Sequence, residues 1–187
     1  EGGLALPLDK LLGGDAQLGE FFLDRVRYYF REVRGYKYDE VNAVLAAGSG
    51  DLTDAASRLA AISQVRPTAH FEPLAASFKR IKNILRQAEF EGGGEVDAAL
   101  LEAGPEAELH AAFSTLRKRV NGLRKKKDYR PALEAIASIR PQVDTFFDKV
   151  LVNAPDPEVR RNRLTMLHKL LSEFSAIADF SEIVTTQ

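Results

Sequence analysis

The chain has 187 residues, with 26 Lys and Arg against 27 Asp and Glu for a formal net charge of −1, and it is 45% hydrophobic and 28% charged. This composition describes a folded globular protein with one substantial core or two small subdomains, and its near-neutrality excludes a protein that coats nucleic acid indiscriminately. The absence of cysteine removes disulfides, thiolate catalysis and zinc-thiolate sites, and no apolar run is long enough to span a membrane or to form a signal peptide, so a cytoplasmic location is expected.

Residue 1 is Glu and the single methionine is Met166, so residues 1–16 read as a linker from a missing upstream domain. Phe22, Val26, Tyr29, Phe30 and Val33 recur at helical spacing and predict a first helix ending at Gly35. A second, from Asp39 to about Ala47, turns Val41, Val44 and Leu45 inward. Asp51 is the expected N-cap of a third, Leu52 to about Val65, with Ala55, Leu59 and Ile62 buried. Pro67 and Pro73 introduce a fourth with the stripe Leu74, Phe78, Ile81 and Leu85. Gly92-Gly93-Gly94 reads as a flexible linker, followed by a short apolar helix around Val96 to Leu101.

Pro105 opens a long helix with Leu109, Phe113, Leu116, Val120 and Leu123 on its apolar face. Asp128 is the expected cap of a shorter one carrying Leu133 and Ile136. Pro141 starts a helix with Val143, Phe146, Phe147 and Val150, and Asp156-Pro157 starts the last, with Leu164, Leu167, Leu171, Phe174 and Ile177 inward. No strand pattern occurs. The expected fold is an all-α bundle of about eight to nine helices, with an N-terminal part over 17–91 and a C-terminal part over 92–187 packed as one continuous unit.

Three basic surfaces stand out. Arg117, Lys118, Arg119, Arg124, Lys125, Lys126, Lys127 and Arg130 lie within fourteen positions and form either a solvated face or a phosphate-contacting one. Arg27, Arg31 and Arg34 share a face of the first helix beside Tyr28, a pairing that suits stacking on an unpaired base, although Asp24 and Glu32 are available as ion-pair partners. Arg160, Arg161, Asn162 and Arg163 follow the helix corner at Phe146 to Val152. Positive charge at a helix start opposes the helix dipole, which marks these residues as candidates for phosphate and base contact. They also have structural alternatives, since Asp148, Asp156 or Glu158 could pair with the arginines and Asn162 could cap a backbone group. Lys79, Arg80, Lys82 and Asn83 form a further polar face, either an RNA surface or the solvated side of the fourth helix.

Catalytic chemistry has little support. His70, His110 and His168 lack metal-ligand spacing, so no metal site and no catalytic residue is expected. The glycine triplet lacks the Lys-Ser or Lys-Thr of a phosphate-binding loop, no HD doublet of a phosphohydrolase occurs, and Glu102 with Glu106 reads as an ordinary surface pair.

Several blocks in order carry a resemblance: Phe22-Leu23-Asp24-Arg25-Val26, Arg34-Gly35-Tyr36, Asp39 to Leu45, Lys79-Arg80-Ile81-Lys82-Asn83-Ile84-Leu85, and Phe146-Phe147-Asp148-Lys149-Val150 with Arg160-Arg161-Asn162-Arg163-Leu164. Together, from about Phe21 to Val184, they resemble the C-terminal part of the bacterial glycyl-tRNA synthetase beta subunit. That part includes a helical anticodon-binding domain of the DALR type, to whose signature Pro157-Glu158-Val159-Arg160 would be the degenerate counterpart. The resemblance implies a noncatalytic portion of a glycine-tRNA ligase that grips the anticodon arm of glycine tRNA. The alpha subunit of an alpha2beta2 holoenzyme would hold the class II aminoacylation core and use ATP and Mg. Cofactors in this portion, membranes and DNA are not expected. The alternatives are a helical protein-protein adaptor for subunit assembly and an unrecognised hydrolase. The candidates for tRNA contact, drawn from the basic surfaces above, are Arg160, Arg161, Asn162, Arg163, Arg27, Tyr28, Arg31, Arg34, Lys79, Lys82, Arg117, Arg124, Lys125, Lys126 and Lys127.

Overall fold

The computed structural model describes residues 16–185, and among them the chain forms eight α-helices and no strand. The helices are α1 (Ala16–Tyr28), α2 (Tyr38–Ala46), α3 (Leu52–Val65), α4 (Phe71–Gln87), α5 (Pro105–Lys125), α6 (Tyr129–Ala137), α7 (Arg140–Lys149) and α8 (Pro157–Phe174). The expected linker over 1–16 lies outside the described residues except for Ala16, where α1 begins.

Local signals act where their chemistry predicts. The Asp51 carboxylate accepts from the Asp54 N–H at 3.0 Å, and that of Asp156 accepts from Glu158 at 2.8 Å with Pro157 in the first turn. Asp128 makes no side-chain cap to α6. Instead the chain leaves α5 through Lys127 at φ +58°, and the Asp128 N–H closes back onto the Leu123 carbonyl at 3.0 Å, so the turn is stabilised by backbone bonds.

The first helix departs from expectation. A single π turn, Tyr29–Val33, extends α1 and shifts the helical phase, so Val26 and Phe30 stay buried while Val33 is 63% exposed and Tyr29 45%. The segment ends where the Tyr36 N–H bonds the Phe30 carbonyl at 3.1 Å across Gly35, whose φ of +74° suits glycine.

Five phenylalanines from three helices and the C-terminal 3-10 turn (Phe180–Glu182) make the centre of the core. Phe71 and Phe78 of α4 meet Phe180 at 5.9 and 5.2 Å, Phe78 meets Phe174 of α8 at 6.3 Å, and Phe174 meets Phe113 of α5 at 5.6 Å. Tilted and edge-on aromatic contacts at these distances add specificity beyond the area they bury. Around this line of rings α7 packs on α4 and α5, while α6 joins α5 to α3. Buried residues on both sides of the glycine triplet belong to a single apolar cluster.

Two arginines fasten the outer helices. Buried Arg58 donates to the carbonyls of Val44, Ile177 and Gly48 at 3.0, 3.1 and 2.6 Å and to the Asp54 carboxylate at 2.9 Å, which ties α2, α3 and the C-terminal segment together. Arg66 makes a bidentate pair with buried Asp39 at 2.7 and 2.8 Å and also reaches Glu40 at 3.2 Å, while the Val184 N–H donates to Asp39 at 2.9 Å.

Burial alone would raise the Asp39 pKa, but hydrogen bonds from Arg66 and Val184 and the Arg66 charge hold it below the ordinary carboxylate value. A folded-state pKa below the unfolded one adds stability above the unfolded value of about 3.9 and loses it as pH falls through the folded value. Acid unfolding followed by circular dichroism is therefore expected to show a progressive loss of stability from about pH 5 downward. Asp39→Asn should be less stable at neutral pH and lose less on acidification; an unchanged acid limb would exclude Asp39 as a contributor.

Candidate nucleic-acid interface

The corner at Arg160 to Arg163 divides into two pairs. Arg160 and Arg161 are exposed on the first turn of α8, with no side-chain partner among the described residues. Arg163 is buried, 3% exposed, and so is Glu106 at 0%. The guanidinium donates to Glu106 Oε2 at 3.1 and 2.8 Å and to the Leu151 carbonyl at 2.9 Å, and it also pairs with Glu102 at 2.9 Å. These hydrogen bonds, that to Glu106 first, hold the Arg163 pKa above its ordinary value. Arg163 is therefore not an RNA contact but a structural anchor, and Glu106 is not the surface carboxylate its spacing implied.

Asn162 is likewise buried, and its amide matches a backbone edge. Nδ2 donates to the Asp97 carbonyl at 2.9 Å while Oδ1 accepts from the Asp97 N–H at 2.8 Å, a strand-like pair that uses the side chain in place of a second backbone. The reading of Asn162 as a base reader is corrected, and the backbone-capping alternative is the one observed.

These contacts belong to a strap, residues 88–104, laid along α8. Phe90 packs edge-on against His168 at 6.1 Å, and a Cβ on Gly92 would fall 2.5 Å from His168 Cε1, so only glycine permits this approach. Glu95 pairs with Lys169 at 2.7 Å and Glu102 with Arg163. The glycine triplet is thus not a free linker, because both its flanks are fastened to α8. The short helix expected after it is only a 3-10 turn, Ala98–Leu100, begun by Asp97 accepting from the Ala99 N–H at 2.9 Å.

The basic run on α5 makes the most continuous surface. Arg117, Lys118, Asn121, Arg124 and Lys125 recur at one, four, seven and eight positions and share one side of the helix. They border two recesses that meet at Asn121. The larger, about 390 Å3, is lined by Glu95, His110, Phe113, Ser114 and Lys169 with Arg117 and Lys118; the smaller, about 280 Å3, by Asp54, Arg58, Arg124, Lys125 and Tyr129. Glu173 of α8 holds the strip in place, pairing with Arg117 at 2.6 Å and accepting from Asn121 at 3.2 Å, while Arg124 donates to Asn121 at 3.1 Å. Burial, then the hydrogen bond to Asp54, pushes the Tyr129 phenol up to about 12, so its hydroxyl stays a neutral donor at the edge of the smaller recess.

The remaining candidates are distributed over other faces. Lys125, Lys126 and Lys79 are exposed with no side-chain partner among the described residues. Lys127 turns back to Asp51 and Asp54 at 3.4 Å each. Lys82 bonds Asp179 and Ser181 at 2.8 and 2.9 Å, which makes it a tether to the C-terminal turn, and Arg80 lies 4.1 Å over the Phe147 ring. On α1, Arg27 pairs with Asp24 at 2.8 Å and Arg31 with Glu32 at 3.7 Å, while Tyr28 is 60% exposed. The Arg34 pKa is raised by its hydrogen bond to Tyr29. The α1 set packs on α2, away from the α5 strip.

Asn121 and Lys169 were not singled out from the sequence, and His110 was weighed there only as a metal ligand. Asn121 had a legible signal, since it stands four residues after Arg117 and three before Arg124. Lys169 had only its seven-residue spacing from Asn162, and its partner Glu95 is 74 positions away. Among the described residues no group of His, Asp or Glu is placed to hold a metal, and no helix is long and apolar enough to cross a membrane.

Comparison with known proteins places this geometry in a family context. The DALR anticodon binding domain model matches residues 74–180, which run from α4 through the C-terminal turn. The glycine--tRNA ligase beta subunit of Acidobacterium capsulatum is 47% identical over 100% of this chain, that of Myxococcus xanthus 42% over 89%, and that of Moorella thermoacetica 40% over 97%. The chain spans 29%, 24% and 25% of those relatives' lengths.

Arg163→Ala is expected to destabilise the fold by about 3–5 kcal/mol, because it leaves the Glu106 carboxylate buried without its partner. Arg160→Ala and Arg161→Ala should each stay within about 0.5 kcal/mol of the parent. Urea unfolding of the three variants checks this, and an Arg163→Ala protein as stable as the parent overturns the anchor assignment.

Proposed function

We propose, from the premise that this chain belongs to the DALR anticodon binding domain family, that it holds the anticodon arm of glycine tRNA and does so chiefly along α5. The observation that carries the proposal is the continuity of Arg117, Lys118, Asn121, Arg124 and Lys125 across two recesses. Cations along a ridge bind the phosphate backbone, while recesses of a few hundred Å3 beside them admit unstacked bases. His110 offers ring surface in the larger recess, and Ser114 and Asn121 offer hydrogen-bonding groups that suit base edges, here the two anticodon cytosines that pair with the two guanines opening every glycine codon. Arg160 and Arg161 extend the phosphate contact at the start of α8. In the whole ligase this chain works without catalytic residues of its own, orienting tRNA for ATP-dependent attachment of glycine by the alpha subunit, where Mg and ATP bind, in the cytoplasm.

A second role, subunit contact, is favoured by α1. Phe21 is 57% exposed, Tyr29 45%, Val33 63% and nearby Tyr38 54%, an apolar flank suited to a protein surface.

Binding of the chain to glycine tRNA, followed by fluorescence anisotropy across a salt series, tests the first role. Arg124→Ala with Lys125→Ala should weaken binding and reduce the slope of log affinity against log salt by about 2, roughly one for each lost phosphate contact. Replacing the anticodon cytosines should weaken binding to the parent chain. Unchanged affinity in the double variant rules out α5 as the RNA face, and loss of alpha-subunit association in Phe21→Ser with RNA binding intact assigns α1 to the subunit contact.

A further inference from the structure

Gly93, Gly94, Glu95 and Val96 form an arch at the larger recess, and the strap is fastened on either side of them. Gly92 is wedged under His168, and Asp97 is held by both polar atoms of the Asn162 amide. Between those anchors the only polar tie from the arch to the helices, among the described residues, is the Glu95 carboxylate accepting from Lys169 Nζ at 2.7 Å. The pair is lopsided, since the Glu95 side chain is 85% exposed and that of Lys169 only 19%. The ammonium belongs to the recess, and the carboxylate reaches it from the solvent side.

Two glycines separate Glu95 from the Gly92 anchor, while Val96 on its other side packs against the core. Gly93 and Gly94 have φ of +126° and +77°, and a Cβ at either would meet nothing within 4 Å, so neither is clamped as Gly92 is. The Glu95 pKa is held below its ordinary value by Lys169 first and also by the Arg117 charge, so the carboxylate lies in the field of two of the recess cations. An exposed ion pair of this kind contributes little to stability. It does neutralise Lys169, and because Arg117 is also paired, through Glu173 at 2.6 Å, Lys118 is the lining cation left without a side-chain partner among the described residues.

We propose that Glu95 is an exchangeable internal counter-ion: its carboxylate occupies the position of an RNA phosphate on Lys169, and a phosphate of the bound RNA displaces it as the arch swings away. This rests on the reading of the recess as part of the RNA interface, and it adds a source of selectivity. A tethered carboxylate competes at an effective concentration on the order of millimolar, so an isolated phosphate gains little on Lys169. An RNA that brings a phosphate to Lys169 while also filling the recess and touching Arg124 and Lys125 outcompetes the arch.

The test is a double-mutant cycle on the 187-residue chain, with glycine tRNA and polyuridine as probes and thermal unfolding as the control for folding. Glu95→Gln, which keeps size and removes charge, is expected to tighten glycine tRNA binding about threefold and polyuridine binding by more, so discrimination narrows. Lys169→Met should weaken tRNA binding, and adding Glu95→Gln to it should change nothing further. No gain from Glu95→Gln alone refutes the exchange, and so does a gain that persists without Lys169, which would be a general field effect. If Arg124→Ala with Lys125→Ala leaves tRNA binding intact, the interface reading itself falls and the exchange with it. If that variant weakens binding and the Glu95 cycle shows no coupling, only the exchange is lost.

Discussion

The arrangement of the α5 strip and its two recesses depends on one buried ion pair, that between Arg163 and Glu106. Two charges removed from water are tolerated only when each is met by an opposite charge and further hydrogen bonds. Here the Leu151 carbonyl and Glu102 complete the guanidinium's contacts. The pair joins the start of α5 to the start of α8 and draws in both the α7–α8 corner and the end of the strap. Farther along the same two helices Phe113 meets Phe174, and Arg117 with Asn121 meets Glu173. Polar contacts at both ends and an aromatic contact between them hold α5 and α8 in one register, and that register sets the shape of the larger recess.

Charge in this molecule is arranged locally. A chain of net charge −1 has no long-range attraction for a polyanion, so any such attraction is local to the places where cations are left exposed. Most arginines are matched to a carboxylate or ring: Arg27 to Asp24, Arg58 to Asp54, Arg66 to Asp39, Arg80 to Phe147 and Arg163 to Glu106. What remains unmatched lies mainly on the last turns of α5 and the first turn of α8. On α5, basic residues near the C-terminus also suit the helix dipole, so local stability and phosphate attraction favour the same side chains. At the start of α8 the dipole opposes them, and the Asp156 cap and Glu158 offset part of that cost.

The strap borders the recess with backbone of a different kind from a helix. Helical backbone is committed to its own hydrogen bonds, whereas Gly93 and Gly94 make none among the described residues, and the segment is fixed by an anchor on each side. A side chain that substitutes for a strand, Asn162, supplies one anchor, and a glycine that cannot carry a Cβ supplies the other.

Much of the fold was legible in the chain itself. Helix starts at Asp51, Pro105 and Asp156-Pro157 and the apolar stripes of α3, α4, α5 and α8 follow from interactions within a few residues, and the ordered blocks were enough to identify the family. The phase change in α1, the reduction of the segment after the glycines to a 3-10 turn and the backbone closure at Lys127 and Asp128 were not legible, because propensity does not encode a π turn or a strap held by distant helices. At the corner after α7 the sequence by itself determined that four polar residues begin a helix with a buried side at Leu164 and Leu167. Only the tertiary structure decided that Asn162 and Arg163 face inward while Arg160 and Arg161 face solvent. Their partners, Asp97 and Glu106, are 65 and 57 positions away. Local spacing cannot reveal which charges will be enclosed by a distant segment, and it is that enclosure which separates an anchor from a contact residue.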